Sequence, residues 1–183
     1  MNKFFILILS SAVCLCPAAL FGQNTNAPDT QNMAALSSSD KQFVTKAAEG
    51  GMAEVELGQL ATEKASDPQV KQFGQRMVDD HSKANDQLKQ LAGSERIAIP
   101  DHMSAKDKME KEKLSKLSGT DFDRAYMRDM VKDHQQDVAE FRHESHVAKD
   151  SALKAFATST LPTLQSHLKD AESIAPKVQK SGM

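Results

Sequence analysis

Hydrophobic residues recur at intervals of three and four positions along most of the chain, which is the spacing of one buried face of an α-helix. The pattern predicts four long helices, over 39–65, 66–92, 121–148 and 150–175, and a short charged helix over 104–117. No segment alternates hydrophobic and polar residues in the manner of a strand. The sequence therefore predicts an all-α fold.

Polar and proline residues mark the ends of the predicted helices. The segment 39–42 (SDKQ) has the form of a capping box and predicts the start of the first helix. Asp67 followed by Pro68 predicts the start of the second helix in the same way. In the fourth helix Pro162 lacks a backbone N–H, which predicts a kink or a break about one turn before His167.

The connections between the four long helices are short, long and short. The long connection, roughly 93–120, contains the short helix and can cross the bundle from end to end. Two helical hairpins joined by such a crossover form the ferritin-like arrangement of four-helix bundles. An up-down-up-down bundle with an inserted helix is the alternative.

The N-terminal segment MNKFFILILSSAVCLCPAALFGQ has the layout of a secretory signal peptide, with a basic start, an apolar middle and small residues near its end. The predicted organisation is a signal peptide (1–22), a flexible tether (23–38), a helical domain (39–176) and a disordered tail (177–183). Both cysteines, Cys14 and Cys16, fall in the signal peptide, so the mature protein is predicted to lack thiol chemistry. The expected location is the periplasm or another extracytoplasmic compartment.

The charge balance argues against a nucleic-acid partner. The chain has 23 basic and 25 acidic residues, and the predicted signal peptide removes one basic residue, Lys3. No basic stripe is left to neutralise phosphates. No transmembrane span is expected after signal removal, because the apolar run in the signal is shorter than the roughly 20 residues of a spanning helix. An envelope or protein partner and a homo-oligomer stay open.

The sequence Met-Val-x-Asp-His occurs twice, ending at His81 and at His134. Both histidines fall in the middle of an apolar helix stripe, as His167 does in the fourth helix and Glu54 in the first. Glu54 and His81 are equidistant from the first hairpin turn, and His134 and His167 from the second, so all four are predicted to share one layer. A buried polar group without a partner costs on the order of 2–7 kcal/mol, so the four are expected to find partners.

These four residues support two interpretations. A buried hydrogen-bond network of three histidines and one glutamate fixes helix register without any ligand. Alternatively, Glu54, His81, His134 and His167 form a mononuclear site for a divalent transition metal such as Zn, Cu(II), Mn or Fe. Since imidazoles ligate only when neutral, such a site is predicted to release its metal as the pH falls below about 6.5.

Two methionines are secondary candidates for metal binding. Met77 and Met130 each stand four residues before a motif histidine and so share its helix face. Thioethers combined with imidazoles suit Cu(I), although methionine stripes more commonly fill hydrophobic cores.

Four segments, FVTKAAEGGMAEVELGQLA, VKQFGQRMVDDHSKANDQL, GTDFDRAYMRDMVKDHQ and LPTLQSHLKDA, resemble the bacterial domain of unknown function 4142 family. Together they cover nearly all of 40–175. The resemblance implies a secreted, ferritin-like helical domain in a family with no assigned activity. Its members are often labelled predicted outer membrane proteins, and the expectation of an outer-membrane association comes from that label.

A di-iron centre of the ferritin kind is not expected. Such centres need Glu-x-x-His on two helices, whereas Val78, Val131 and Leu164 stand three residues before the histidines. Three functions stay open. The first is a non-enzymatic exported helical domain, in envelope or stress physiology, whose polar layer is structural. The others are a mononuclear metal-binding protein or metalloenzyme, and a periplasmic copper-handling protein that uses Met and His.

Overall fold

The computed structural model describes residues 36–180, and these form five α-helices with no strand among them. The helices are α1 (Ser38–Lys64), α2 (Pro68–Ser94), α3 (Ala105–Ser115), α4 (Gly119–Val147) and α5 (Ser151–Lys180). The all-α prediction is confirmed. None of these helices is long and apolar enough to cross a bilayer. The predicted signal peptide (1–22) and the tether up to residue 35 lie outside the described residues.

Side-chain caps determine where the helices begin. The Ser37 hydroxyl accepts a hydrogen bond from the Asp40 backbone N–H at 3.1 Å, so α1 starts inside the predicted tether rather than at segment 39–42. The Asp67 carboxylate accepts from the Gln69 N–H at 2.7 Å, with Pro68 as the first helical residue, as the sequence predicted. The capping oxygen satisfies a donor that the helix itself leaves free.

One buried carboxylate reveals the direction of the helices. Asp123, near the start of α4, accepts hydrogen bonds from the Ser66 and Asp67 N–H groups of the α1–α2 turn, both at 3.0 Å. At the same end, Arg124 Nε donates to the Val178 carbonyl of α5 at 3.1 Å. Helices α2 and α4 therefore run in the same direction, and the connection through α3 must cross the bundle. This confirms the ferritin-like topology over the up-down-up-down alternative.

The C-terminal helix is longer than the sequence predicted. Helix α5 continues through Pro162 and Pro176 to Lys180, so its predicted end before Pro176 was wrong, and residues 177–180 are helix rather than tail. Pro162 does not break the helix either. Ile174 and Val178 are 8% and 1% exposed, and their burial holds the last turns in place although each proline removes one helical hydrogen bond.

Two apolar clusters fill the bundle, one toward each end. The cluster near the α1–α2 turn contains Leu57, Phe73, Tyr126 and Ile174, and the other contains Phe43, Leu88, Phe141 and Leu164. On each long helix, one of the four polar residues singled out in the sequence lies between these two sets. The bundle core is therefore interrupted by one polar layer.

Helices α1 and α2 approach each other closely beside this layer. A Cβ atom on Gly74 would lie 2.7 Å from the Ala61 Cβ and 2.8 Å from the Gly58 carbonyl oxygen. Both distances are below van der Waals contact, and the second involves backbone, which cannot swing aside. Glycine at 74 is therefore required for the spacing of the first hairpin.

We expect Gly74→Ala to lower the free energy of unfolding by about 1–3 kcal/mol, the usual cost of overpacking a tight contact. Gly50→Ala is the matched control, because nothing lies within 4 Å of a Cβ at that helical position. This control should stabilise the protein by up to about 1 kcal/mol through helix propensity. Urea unfolding of both variants measures the difference. Equal stabilisation by the two substitutions would mean that the helices can separate at no cost.

Candidate metal centre

Three buried histidines from three helices meet in the polar layer. His81 of α2, His134 of α4 and His167 of α5 are 6%, 0% and 0% exposed. Their ring centroids lie 5.3–5.8 Å apart, and one ring nitrogen from each lies within 4.8 Å of those of the other two. We call these three residues the histidine cluster. The structure thus brings together both motif histidines and the histidine of the last helix.

A main-chain hydrogen bond fixes the proton on His134. Its Nδ1 lies 3.0 Å from the Met130 carbonyl oxygen, and because a carbonyl only accepts, Nδ1 carries the hydrogen. Burial and the neighbouring His167 lower the pKa of His134 to about 3, so the ring is neutral at physiological pH. A neutral imidazole has a single N–H, which leaves a lone pair on Nε2. This Nε2 has no hydrogen-bond partner among the described residues.

His167 is oriented in the same manner by a carboxylate. Its Nε2 lies 2.7 Å from Asp80 Oδ2 and donates to it. Burial lowers the pKa of His167, and the hydrogen bond to Asp80, which acts in the opposite direction, does not restore the ordinary value. The neutral ring therefore presents a lone pair on Nδ1, and this atom is also without a partner in residues 36–180.

Asp80 is itself held in place from both helices. Arg76, one turn earlier on α2, donates from Nε to Asp80 Oδ2 at 3.2 Å. The same guanidinium donates to Ser166 Oγ at 3.1 Å and pairs with Asp170, both on α5. Partial burial acts to raise the pKa of Asp80, but His167 and Arg76 outweigh it and hold that pKa below its ordinary value. The result is an ionised carboxylate with a fixed position behind His167.

His81 is the third member of the cluster, and with it the cluster has fewer free N–H donors than ring lone pairs. Burial, followed by the proximity of His134 and His167, lowers the pKa of His81 well below its ordinary value. Its Nε2 is unpartnered in the described part of the chain. If His81 Nε2 carries a hydrogen, it can donate to the lone pair of either His134 or His167, but not to both. If it carries none, it presents a third lone pair. Among the three rings alone, at least one buried lone pair therefore lacks a donor.

Glu54 lies beside the histidine cluster but on the far side of His134. Its Oε1 is 3.8 Å from His134 Nδ1, the nitrogen that already donates to the Met130 carbonyl. The carboxylate does not belong to the set of mutually close ligand atoms. Glu54 is 4% exposed, and burial, followed by repulsion from Asp137 and Asp133, raises its pKa well above the usual value. The structure therefore places it as a neighbour of the cluster rather than among the three converging nitrogens.

The two candidate methionines lie in the apolar cluster next to the histidines. Met77 and Met130 are both 0% exposed and pack with residues such as Phe73 and Tyr126. Met130 meets the site through its main-chain carbonyl. Thioether ligation of Cu(I) by these residues stays a hypothesis.

Sequence reasoning missed Asp80 and Arg76. The signal was present, since aspartate precedes histidine in both motif copies. The two aspartates nevertheless have different surroundings, because Asp80 reaches α5 while Asp133 lies 3.9 Å from Lys106 of α3. Which neighbour a side chain meets depends on the helix packed beside it, and the motif does not contain that information.

A family model places this domain among known sequences. The model of domain of unknown function DUF4142 matches residues 25–174. The chain belongs to the DUF4142 family. The resemblance found in the sequence is thus confirmed, and the family carries no assigned function. No curated protein sequence matches the chain.

Solved structures of other proteins share the fold. A DUF305 fragment from Deinococcus radiodurans has a TM-score of 0.69 at 16% identity, covering 79% of this chain and 99% of its own. A DUF305 protein from Streptomyces coelicolor, described as a predicted secreted protein, has a TM-score of 0.66 at 13% identity, covering 77% and 92%. CopM in its Cu(II)-bound form has a TM-score of 0.64 at 15% identity, covering 75% and 96%. At these identities the likeness shows a common helical fold.

The lowered pKa of His134 predicts how the stability of the metal-free protein depends on pH. The folded value of about 3 lies below the unfolded value of 6.5, so the unfolded chain binds the proton first. The contribution of His134 is therefore complete above pH 6.5 and is lost progressively as the pH falls toward 3. Wild type should lose about 1.4 kcal/mol more per pH unit than His134→Leu between roughly pH 6 and pH 4.

Urea unfolding at several pH values with a chelator present measures both slopes. Buried carboxyl groups with raised pKa values, such as Glu54 and Asp137, stabilise the folded protein as the pH falls, which is opposite to the effect of His134. Both proteins contain these groups, so their contribution cancels in the comparison with His134→Leu. Parallel slopes for the two proteins would show that folded His134 takes up a proton near its ordinary pKa.

Proposed function

We propose that this domain binds one divalent transition-metal ion between His81, His134 and His167, as a non-enzymatic metal-binding protein of the cell envelope. The observation that carries the proposal is the set of three unpartnered, buried ring nitrogens. A hydrogen-bond network among three neutral imidazoles with these tautomers can satisfy only one lone pair. A cation can accept a lone pair from all three, which favours metal binding over a purely structural layer.

The surroundings of the histidine cluster fit a metal site. Metal-binding histidines commonly donate their second N–H to a carboxylate or a carbonyl, which fixes the ring and makes the free nitrogen more basic. His167 does so to Asp80, and His134 does so to Met130. Bonds of 2.0–2.1 Å place tetrahedral nitrogen ligands roughly 3.3 Å apart. The ligand nitrogens of the cluster lie up to 4.8 Å apart, so a bound ion would draw them roughly 1.5 Å closer together.

The donor set favours Cu(II) first and Zn(II) second. Three imidazoles without a carboxylate suit these ions better than Mn(II), which prefers oxygen ligands, and Cu(II) binds most tightly in the divalent series. The fold is shared with CopM, which has been solved with Cu(II) bound. The carboxylates required for a di-iron site are replaced by Val78, Val131 and Leu164.

Four observations support an exported binding role rather than catalysis. The signal-peptide pattern of residues 1–22 and the likeness to a Streptomyces protein described as predicted secreted support the envelope location. His134 and His167 are fully buried, which limits the access of a substrate to a bound ion. The carboxyl group of Glu54 lies behind His134 rather than beside its free nitrogen, and Asp80 already accepts from His167 and Arg76.

We expect the mature protein to bind one Cu(II) or Zn(II) per chain, and His81→Ala or His134→Ala to abolish this binding. A ligand at 1,000 times its dissociation constant stabilises a protein by about 4 kcal/mol, so chelation should also lower the melting temperature. Elemental analysis, calorimetric titration and thermal melts measure these effects.

The control is the double variant His143→Ala/His146→Ala, which removes two exposed imidazoles from the same helix α4. It should retain the bound ion. A wild-type protein that is free of metal, melts identically with and without chelator and does not respond to added Cu(II) or Zn(II) would refute the proposal.

The carboxylate behind His167 should tune the affinity. Asp80→Ala removes the acceptor of His167 Nε2 and is expected to weaken metal binding by about 10–100-fold. Asp79→Ala is the matched control, because this exposed neighbour accepts only from Gln75 on its own helix in the described structure. Competition titrations with a chelator of known affinity measure both. An equal loss in the two variants would indicate a general charge effect and not support for His167.

A further inference from the structure

A cavity of about 220 Å³ extends from the surface around α3 into the polar layer. Buried Glu54 and His81 line it, and so do the partly exposed Asp107 and Glu110 of α3 and Asp137 of α4. The cavity therefore connects the solvent side of the crossover segment with one member of the histidine cluster.

The cavity wall carries an excess of negative charge. Seven carboxylates line it against two lysines. Both lysines are already paired within the cavity, Lys46 with Glu140 at 2.9 Å and Lys106 with Asp133 at 3.9 Å. Burial, followed by the neighbouring Asp133 and Glu140, raises the pKa of Asp137 to about 7, and burial raises that of Glu54 well above its ordinary value. The negative charge of the wall therefore comes mainly from the other five carboxylates. A cleft of one charge sign attracts ions of the opposite sign and raises their local concentration.

Three buried atoms that line this cavity have no hydrogen-bond partner among residues 36–180, namely Glu54 Oε2, His81 Nε2 and Thr160 Oγ1. Glu54 is 4% exposed and its Oε2 has no hydrogen-bond partner in the described structure, although an ionised or neutral carboxyl seeks several. His81 Nε2 is unpartnered as well. A buried carboxylate oxygen and a free imidazole nitrogen on the wall of one cavity are suitable successive ligands for a cation that moves inward.

We propose that this acidic cavity is the access route through which a divalent cation reaches the histidine cluster, with Glu54 as the last carboxylate that the cation meets before His81. The proposal rests on the proposed function. Residues 36–180 contain no group of three carboxylates close enough to hold an ion on their own, which favours passage over a second resident site. It also gives the crossover helix α3 a role, since two of the carboxylates stand on it.

The test compares loading rates with affinities. Cu(II) is mixed with metal-free protein in a stopped-flow instrument, and quenching of Tyr126 emission reports its arrival. Tyr126 is the sole tyrosine and the chain has no tryptophan. The ring of Phe73 lies 6.2 Å from both Tyr126 and His134, so the reporter is close to the cluster.

The triple variant Asp107→Asn/Glu110→Gln/Asp137→Asn should load Cu(II) at least about tenfold more slowly than wild type at low ionic strength. The difference should shrink at high salt, while the equilibrium dissociation constant changes less than about threefold. The control variant Asp79→Asn/Asp86→Asn/Asp121→Asn removes the same number of carboxyl groups at exposed positions outside the cavity. It should load nearly as fast as wild type.

Each other outcome overturns the route. If wild type binds Cu(II) and the triple variant loads it at the same rate, the route is refuted and the proposed function stays intact. An equal slowing in the control shows that net charge alone is responsible. Wild type that binds no Cu(II) at equilibrium refutes the proposed function and the route together.

Glu54→Gln distinguishes a passing contact from a permanent ligand. Loading that is slower with nearly unchanged affinity supports Glu54 as the last carboxylate on the route. A loss of affinity as large as that of His81→Ala would make Glu54 a ligand in the bound state and would overturn its role in transfer.

Discussion

Three neutral imidazoles packed into one layer of this bundle leave at least one ring lone pair without a donor among the three rings, and an unpaired buried group of this kind costs about 1–3 kcal/mol. Hairpin geometry, helix spacing and the apolar core together position this layer and keep it buried. In each helical hairpin the two polar residues are equally many residues from the turn, so they lie at the same height along the bundle axis. The backbone approach at Gly58 and Gly74 sets the spacing of the first hairpin. Apolar clusters on both sides supply the burial that keeps the rings neutral.

The two motif copies have diverged in what they do. In both, methionine fills the core four residues before the histidine, and this shared part is structural. The aspartates differ, because Asp80 fixes the proton of His167 across the α2–α5 contact whereas Asp133 belongs to the wall of the acidic cavity. A parallel arrangement of α2 and α4 presents equivalent residues to different neighbours. Sequence repetition therefore does not imply a repeated role in this bundle.

Periodicity and turn residues were enough to predict the four long helices, the crossover and the shared layer of His81, His134 and His167. These depend on spacing along one helix and distance from one turn, which a sequence contains. The tautomers, the support of His167 by Asp80 and the position of Glu54 behind His134 depend on side-chain contacts between helices. The continuation of α5 past Pro176 was missed because burial of Val178 outweighs the local preference to stop.

The surroundings of the cluster also affect the pH at which protons would displace a bound ion. An imidazole with an ordinary pKa would compete for protons near pH 6.5, and release in mildly acidic surroundings would follow. Burial lowers the pKa of all three histidines, that of His134 to about 3. Protons therefore compete with the metal only at markedly lower pH. If the cluster binds an ion as proposed, it would hold that ion through mild acidification, and release would require a competing ligand or opening of the bundle.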